Sequence, residues 1–239
     1  MHMKETSPLE SEFDKFADEY YTTHASNIKL SGENPEYFHE YKVQDTRLFC
    51  IKNNIKDNVE ILDFGAGTGS SIPYFNEIFK KSKLHCLDIS KKSIEIAKKR
   101  FPKNTFDYQY FNGEKTDYAE NKFDLIFSAC VFHHIPPQMY EKILNELHRI
   151  LKPGGVIIIF EHNPLNPLTR HAVNTCPFDE NAILISANKM KRKLIKSGFK
   201  NIEINYRIFF PSFLKKLRFL EKNLMKLPLG AQYYAAARK

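Results

Sequence analysis

The sequence has no long apolar run. Its longest uninterrupted aliphatic or aromatic stretch is Val156 to Phe160, far short of the ~20 residues that a membrane-spanning helix needs. No positively charged start precedes an apolar stretch, so no signal peptide is expected. Cysteine is scarce as well. Cys50, Cys86, Cys130 and Cys176 are widely spaced, and none forms a C-x-x-C pair. That argues against a disulfide framework or a zinc site and fits a reducing cytoplasm. Cys86 and Cys130 sit inside apolar segments and are expected to be buried structural thiols. There is no internal repeat and no low-complexity linker. What is present is ordinary for a globular protein: 239 residues, 42% hydrophobic and 27% charged, enough to bury a full core.

Acidic residues are scarce only at one end. From Lys189 onward the chain carries 14 basic and 2 acidic residues, a net +12, whereas the first 188 residues carry −4. The overall +8 therefore belongs to the last fifth of the chain. Such asymmetry suits an anionic partner (phosphate, nucleic acid or an anionic membrane surface) or a set of solvated lysine faces.

Strands and helices alternate from residue 59 onward. Val59–Phe64, Lys83–Ile89, Phe106–Phe111, Phe123–Phe127 and Val156–Phe160 read as strands. Ser90 opens a helix whose last turn, Lys98-Lys99-Arg100, suits the negative helix end. Pro136-Pro137 opens another, with Tyr140, Ile143, Leu144, Leu147, Ile150 and Leu151 on one stripe. Short alternation of this kind implies a parallel sheet covered on both faces. Residues 161–181 hold three prolines and read as a long loop. Ser186–Lys196 reads as a basic helix, Asn201–Phe210 as a strand, Pro211–Leu227 as an amphipathic helix and Gln232–Arg238 as a final strand. Leu9–Tyr21 and Pro35–Asn54 read as helices ahead of the sheet.

The chemistry concentrates at Asp63-Phe-Gly-Ala-Gly-Thr-Gly69, between a strand and a helix, with Asp88 ending the next strand. Glycines let the backbone approach a ligand and adopt positive φ. An acid at the second strand end can hold both ribose hydroxyls. Together they point to a nucleoside-bearing cofactor. A dinucleotide turn would need glycine where Ser70 stands, and Asp63 would repel a pyrophosphate; no lysine follows for a triphosphate loop. An acid at Asp63 suits a cationic ligand instead.

Asp63–Gly69, Leu87-Asp88, Phe123–Phe127, Phe132-His-His-Ile135 and Leu151-Lys-Pro-Gly-Gly155 resemble, in order and spacing, the class I S-adenosylmethionine (SAM)-dependent methyltransferases. The resemblance covers about residues 55–160. It implies an α/β fold, a three-layer αβα sandwich around a seven-stranded, mostly parallel sheet with an antiparallel last strand. It implies SAM as cofactor and S-adenosylhomocysteine (SAH) as product. Gly65, Ala66, Gly67 and Gly69 would then cradle the amino acid part of SAM, and Asp63 would face its ammonium group. Asp88 would hold the ribose, and Ile89 would pack on the adenine. Asn112, Gly113 or Glu114 would sit near the adenine amino group, with Asn112-Gly113 as a plain turn the alternative. Ser128 and Ala129 would line the methionine part.

Methyl transfer needs alignment above all, and a base only where the acceptor must lose a proton. His134 and His162 are candidates for that base, with Glu161 orienting or helping; His133 reads as structural. No metal is expected. Ser128-Ala129-Cys130-Val131 lacks the Asp/Asn-Pro-Pro-aromatic turn of amino-group methylators of adenine or glutamine, so DNA is not an expected partner. A small-molecule acceptor, methylated at oxygen and anionic or lipid-linked, fits best, with peripheral contact to a membrane. Its pathway would concern cell-surface glycans or lipids. Residues 1–56 are expected to form a helical lid with Phe13, Phe16, Tyr20, Tyr21, Tyr37 and Tyr41. Residues 57–239 would form the catalytic domain, with substrate-side insertions at 161–181 and 211–227. Arg170, His171 and the basic helix 211–227 are candidates for a phosphate. The competing readings are a non-catalytic SAM-binding module docking on membrane or RNA, and an NAD-linked oxidoreductase.

Overall fold

A computed structural model describes Asp14, residues 28–102 and residues 106–239. Its centre is a sheet of β1 (Glu60–Phe64), β2 (Lys83–Asp88), β3 (Phe106–Tyr110), β4 (Phe123–Ala129), β5 (Leu151–His162), β6 (Lys200–Arg207) and β7 (Gln232–Arg238). The spatial order is β3-β2-β1-β4-β5-β7-β6. All neighbours run parallel except β7, which lies antiparallel between β5 and β6. This is the expected α/β sandwich. Apolar side chains of the strands alternate between two cores. Leu62, Ile126, Ile157 and Tyr233 face one, and Ile61, Leu125, Phe127 and Ile158 face the other. Burial on both faces explains why Val156–Phe160 is a continuous apolar run rather than an alternating one.

Helices start where the side-chain chemistry allows. Asn34 accepts from the Tyr37 amide at 3.0 Å and Pro35 fills the first turn of α1 (Pro35–Lys52). α2 (Ile72–Ile78) follows the glycine turn. Ser90 Oγ accepts from Ser93 N at 3.0 Å at the head of α3 (Lys91–Arg100). The apolar stripe of α4 (Tyr140–Ile150) packs into the first core, and the helix starts a turn later than Pro136-Pro137 suggests. β5 is longer than the apolar run. Leu151 pairs with Phe123, and a register shift takes up Lys152–Gly155 before Leu125 meets Val156.

Two expectations are corrected. Residues 161–181 are not a bare loop: Asn166 caps α5 (Pro167–Asn174), and Pro177–Asp179 makes a 3₁₀ turn. The Asn166 side chain supplied the cap that the prolines concealed. Downstream, α6 (Ala187–Lys196) is capped by Ser186 as expected. Residues 211–227, in contrast, are not one helix. Ser212–Leu220 is 3₁₀ and only Glu221–Leu224, α7, is α-helical. The candidate helix Leu9–Tyr21, with Phe13, Phe16, Tyr20 and Tyr21, lies outside the described residues. Tyr37 and Tyr41 are described, and Tyr41 packs edge-on against Phe160 of β5.

Candidate active site

The carboxyl ends of β1, β2, β4 and β5 open into one cavity, as expected where strand order reverses in such sheets. One half of it is built by the glycine turn. Gly65, Gly67 and Gly69 all take positive φ, at 80°, 53° and 81°. A Cβ on Gly65 would sit 2.3 Å from Val131 Cγ2, whereas one on Gly67 would meet nothing within 4 Å. Gly65 is thus required by packing, and Gly67 leaves a gap toward the cavity. Gly69, expected to touch the ligand, is packed under Ile72 and Ala97 and does not line the cavity.

Asp63 is buried at the end of this half and lines the cavity. Its Oδ2 has no hydrogen-bond partner among the described residues. Burial, with the Asp88 charge added, pushes its carboxyl up to about 8. A buried, unmatched carboxylate oxygen suits a cation such as an ammonium group. Asp88 lines the same half; Oδ2 accepts from Gly67 N at 2.7 Å and Oδ1 from Ser90 N at 2.8 Å. Both bonds fix the carboxylate while leaving lone pairs free. Ala66, Ile89, Gly113 and Ala129 also line the cavity, with Phe111 and Met139 as further apolar walls. These residues fit a nucleoside joined to a cationic amino acid.

Three expected site residues do not line the cavity. Asn112 is exposed, and its side chain accepts from Glu114 N and Lys115 N, so Asn112-Gly113 is a turn. Glu114 points away and pairs with Lys142 at 3.1 Å. Ser128 is fully buried outside the cavity, and its hydroxyl has no partner among the described residues.

The other half holds the titratable groups. Glu161 is fully buried and does not line the cavity. It accepts from Val131 N, Phe132 N and His133 Nδ1 at 3.0, 2.7 and 2.6 Å. That makes it a positioning group for the His133-His134 turn. Burial disfavours a charged His133, but the Glu161 charge and the Asp179 and Glu161 bonds outweigh it and raise His133 to about 10. Asp179 Oδ1 lies 3.4 Å from Nε2 of both His133 and His134. Burial and the His133 charge pull His134 down to about 3, so it stays neutral. His133, His134 and Asp179 each bring one ligand atom within 4.8 Å of the others and are the described residues that could hold a metal ion.

His162 lines the same half, with Nδ1 3.4 Å from Gln232 Nε2. Cys130, expected to be a buried structural thiol, is only half-buried. It lines the cavity at positive φ, 59°, and Lys42 Nζ lies 3.4 Å from its Sγ. Burial raises its thiol, but Lys42 and His162 outweigh this and bring it to about 7. Cys86, by contrast, is the buried, weakly acidic thiol expected. Arg170 and His171 are exposed and do not line the cavity, nor does any residue of 211–227. Lys42, Cys130, Asp179 and Gln232 were not singled out for this site from sequence. They come from α1, the β4 end, the 3₁₀ turn and β7, and no contiguous motif links them.

The profile of a family described as "Methyltransferase domain" matches residues 62–159. Residues 62–159 are a methyltransferase domain of the class I, SAM-dependent kind. A malonyl-[acyl-carrier protein] O-methyltransferase of Ilyobacter polytropus is 36% identical over 46% of this chain and 41% of its own length. A phosphoethanolamine N-methyltransferase of Plasmodium falciparum is 27% identical over 56% of this chain and 49% of its own. The chain spans about half the length of the curated relatives it matches. A solved SAM-dependent methyltransferase of Thermotoga maritima covers 97% of this chain and 99% of its own, with TM-score 0.67 and 20% identity. The matched residues hold most of β1 to β5 and the glycine half of the cavity.

Proposed function

We propose that the protein moves a methyl group from SAM to the oxygen of a small-molecule acceptor that also carries an anionic group. The observation that carries the cofactor half is the unpartnered Asp63 Oδ2, buried in the wall of a cavity whose other donor-side residues match the family motif. SAM supplies an electrophilic methyl on a cationic sulfur. Asp63 holds the ammonium end, Asp88 the ribose hydroxyls, and Ile89, Phe111 and Met139 shut water from the adenine side.

His134 accepts a hydrogen bond from the acceptor hydroxyl, because a neutral imidazole keeps a lone pair. Its low basicity is sufficient. An oxygen that has gained a third bond is strongly acidic, so the proton moves to imidazole as the new bond forms. Asp179 then stabilises the imidazolium. Glu161 and His133 hold this pair in place, and His162 is the second group able to take the proton. Lys42, in α1, provides the cation for the acceptor's anionic group. It is buried at the cavity wall with a thiol beside it and no carboxylate within 4.0 Å among the described residues. This moves the expected anion site from Arg170 and His171 to Lys42 and assigns α1 to the acceptor side.

Calorimetry tests the cofactor half: SAH binds wild type, and absence of heat with both SAH and SAM overturns it. Radiolabelled methyl transfer tests the acceptor half with 4-hydroxybenzoate and phenol as a matched pair. Preference for the carboxylate that vanishes in Lys42→Met supports the assignment; equal use of both by wild type overturns it.

A further inference from the structure

Residues 212–229 bury their one acid and expose their large apolar side chains. Glu221 is 5% exposed, whereas Phe213 is 81%, Phe219 66% and Leu229 66% exposed. No residue of Ser212–Leu220 is buried. The inversion is held in place. Glu221 Oε1 accepts from Phe209 N and Phe210 N at 2.9 and 3.2 Å, and Arg207 Nη1 stands 3.5 Å from Oε2. Arg218 reaches Glu33 at 2.5 Å and lies over the Tyr37 ring. The segment is therefore fixed with its leucines and phenylalanines outward. α5 extends the same surface, because Asn166 Nδ2 donates to Leu229 O at 2.8 Å. Leu165 and Leu168, beside that bond, are 63% and 68% exposed. A contiguous apolar surface of this kind marks a binding face.

Charge selects the occupant. Lys215, Lys216 and Lys222 are exposed, and no carboxylate of the described residues pairs with them. The single acid within 212–229 is Glu221, which is buried. Outward phenylalanines and leucines among unpaired lysines match the apolar and anionic layers of a lipid surface. No described helix is long and apolar enough to cross a membrane, so contact would be from one side.

We infer that residues 212–229, with Leu165 and Leu168, form a face that docks on an anionic lipid surface. α5 leads from His162 to Asp179, both of which line the cavity, so docking brings the acceptor end toward the membrane. That last consequence rests on the proposed function; the docking itself does not.

Co-sedimentation of the full chain with vesicles tests the inference, using phosphatidylcholine alone and with about one-third phosphatidylglycerol. Binding to the anionic vesicles alone is expected, weakening as salt rises. Replacing Lys215, Lys216 and Lys222 by Gln should weaken it about fivefold for each lysine removed. Phe213→Ser with Phe219→Ser should weaken it at least tenfold. SAH titration of each variant confirms the fold, and unchanged SAH affinity separates loss of docking from loss of the cofactor site. Equal partition with both vesicle types overturns the inference. So does a stable dimer in light scattering that the same phenylalanine substitutions dissolve, because the face would then belong to a second copy.

Discussion

The two halves of the cavity handle buried charge in opposite ways. On the cofactor side Asp63 presents a carboxylate oxygen that no described residue satisfies. On the acceptor side Glu161, His133, Asp179 and His134 form a chain in which each charge meets its opposite or a neutral ring. An unmatched charge invites a charged ligand, while a matched chain holds an orientation and leaves the ligand to bring its own chemistry. The first half specifies its occupant, and the second specifies a geometry.

Removing Glu161 strikes hardest at the matched half. Glu161→Ala should lower the unfolding free energy by about 3–5 kcal/mol, since it strands a buried imidazolium and two amides; urea denaturation measures it. A loss under about 1 kcal/mol would show that the chain of charges does not hold this half together. Next comes the unmatched half. Asp63→Asn should weaken SAH by about 2 kcal/mol, some thirtyfold, while Lys42→Met leaves SAH affinity within about twofold. Equal losses in the two variants would erase the distinction between the halves.

Protonation sharpens the same contrast. With its folded pKa raised to about 8, Asp63 is protonated at neutral pH until a cation arrives. Binding SAH at about pH 7 should therefore release about one proton, read from calorimetry in two buffers, and none in Asp63→Asn. The folded value exceeds the unfolded one, so the native state holds an extra proton between about pH 4 and 8. Stability of the free protein then falls as pH rises through that window, and Asp63→Asn should flatten this fall. The smallest effect separates two glycines. Gly65→Ala meets Val131 and should cost about 2 kcal/mol of stability. Gly67→Ala meets nothing and should cost about 1 kcal/mol, for its positive φ alone.

The same contrast explains what the sequence could convey. Asp63, Gly65, Gly67 and Asp88 lie on two adjacent strand ends, so spacing alone placed them together. Capping residues made α1, α3 and α6 readable within a few residues of their ends. Lys42, Cys130, Asp179 and Gln232 meet only because four separate elements converge, and nothing local encodes that. Glu161 was visible as an acid after a strand, but its inward turn to His133 depends on the Val131 and Phe132 amides. The segment 212–229 misled for a further reason. Its apolar spacing fits a helix, yet its leucines lack a core to face, and the Glu221 anchor pulls the backbone the other way.

The position of β7 between β5 and β6 bears on assembly. β6 is made before β7, yet among the described strands it has no other to pair with. Strands β1 to β5 can join as they emerge, but the Gln232 wall of the cavity must wait for the latest strand to slot between two earlier ones. Ala235, Ala236 and Ala237, all fully buried, keep that strand slim. Long-range closure of this kind slows folding. Competence to bind an acceptor would therefore lag behind competence to bind the cofactor during refolding.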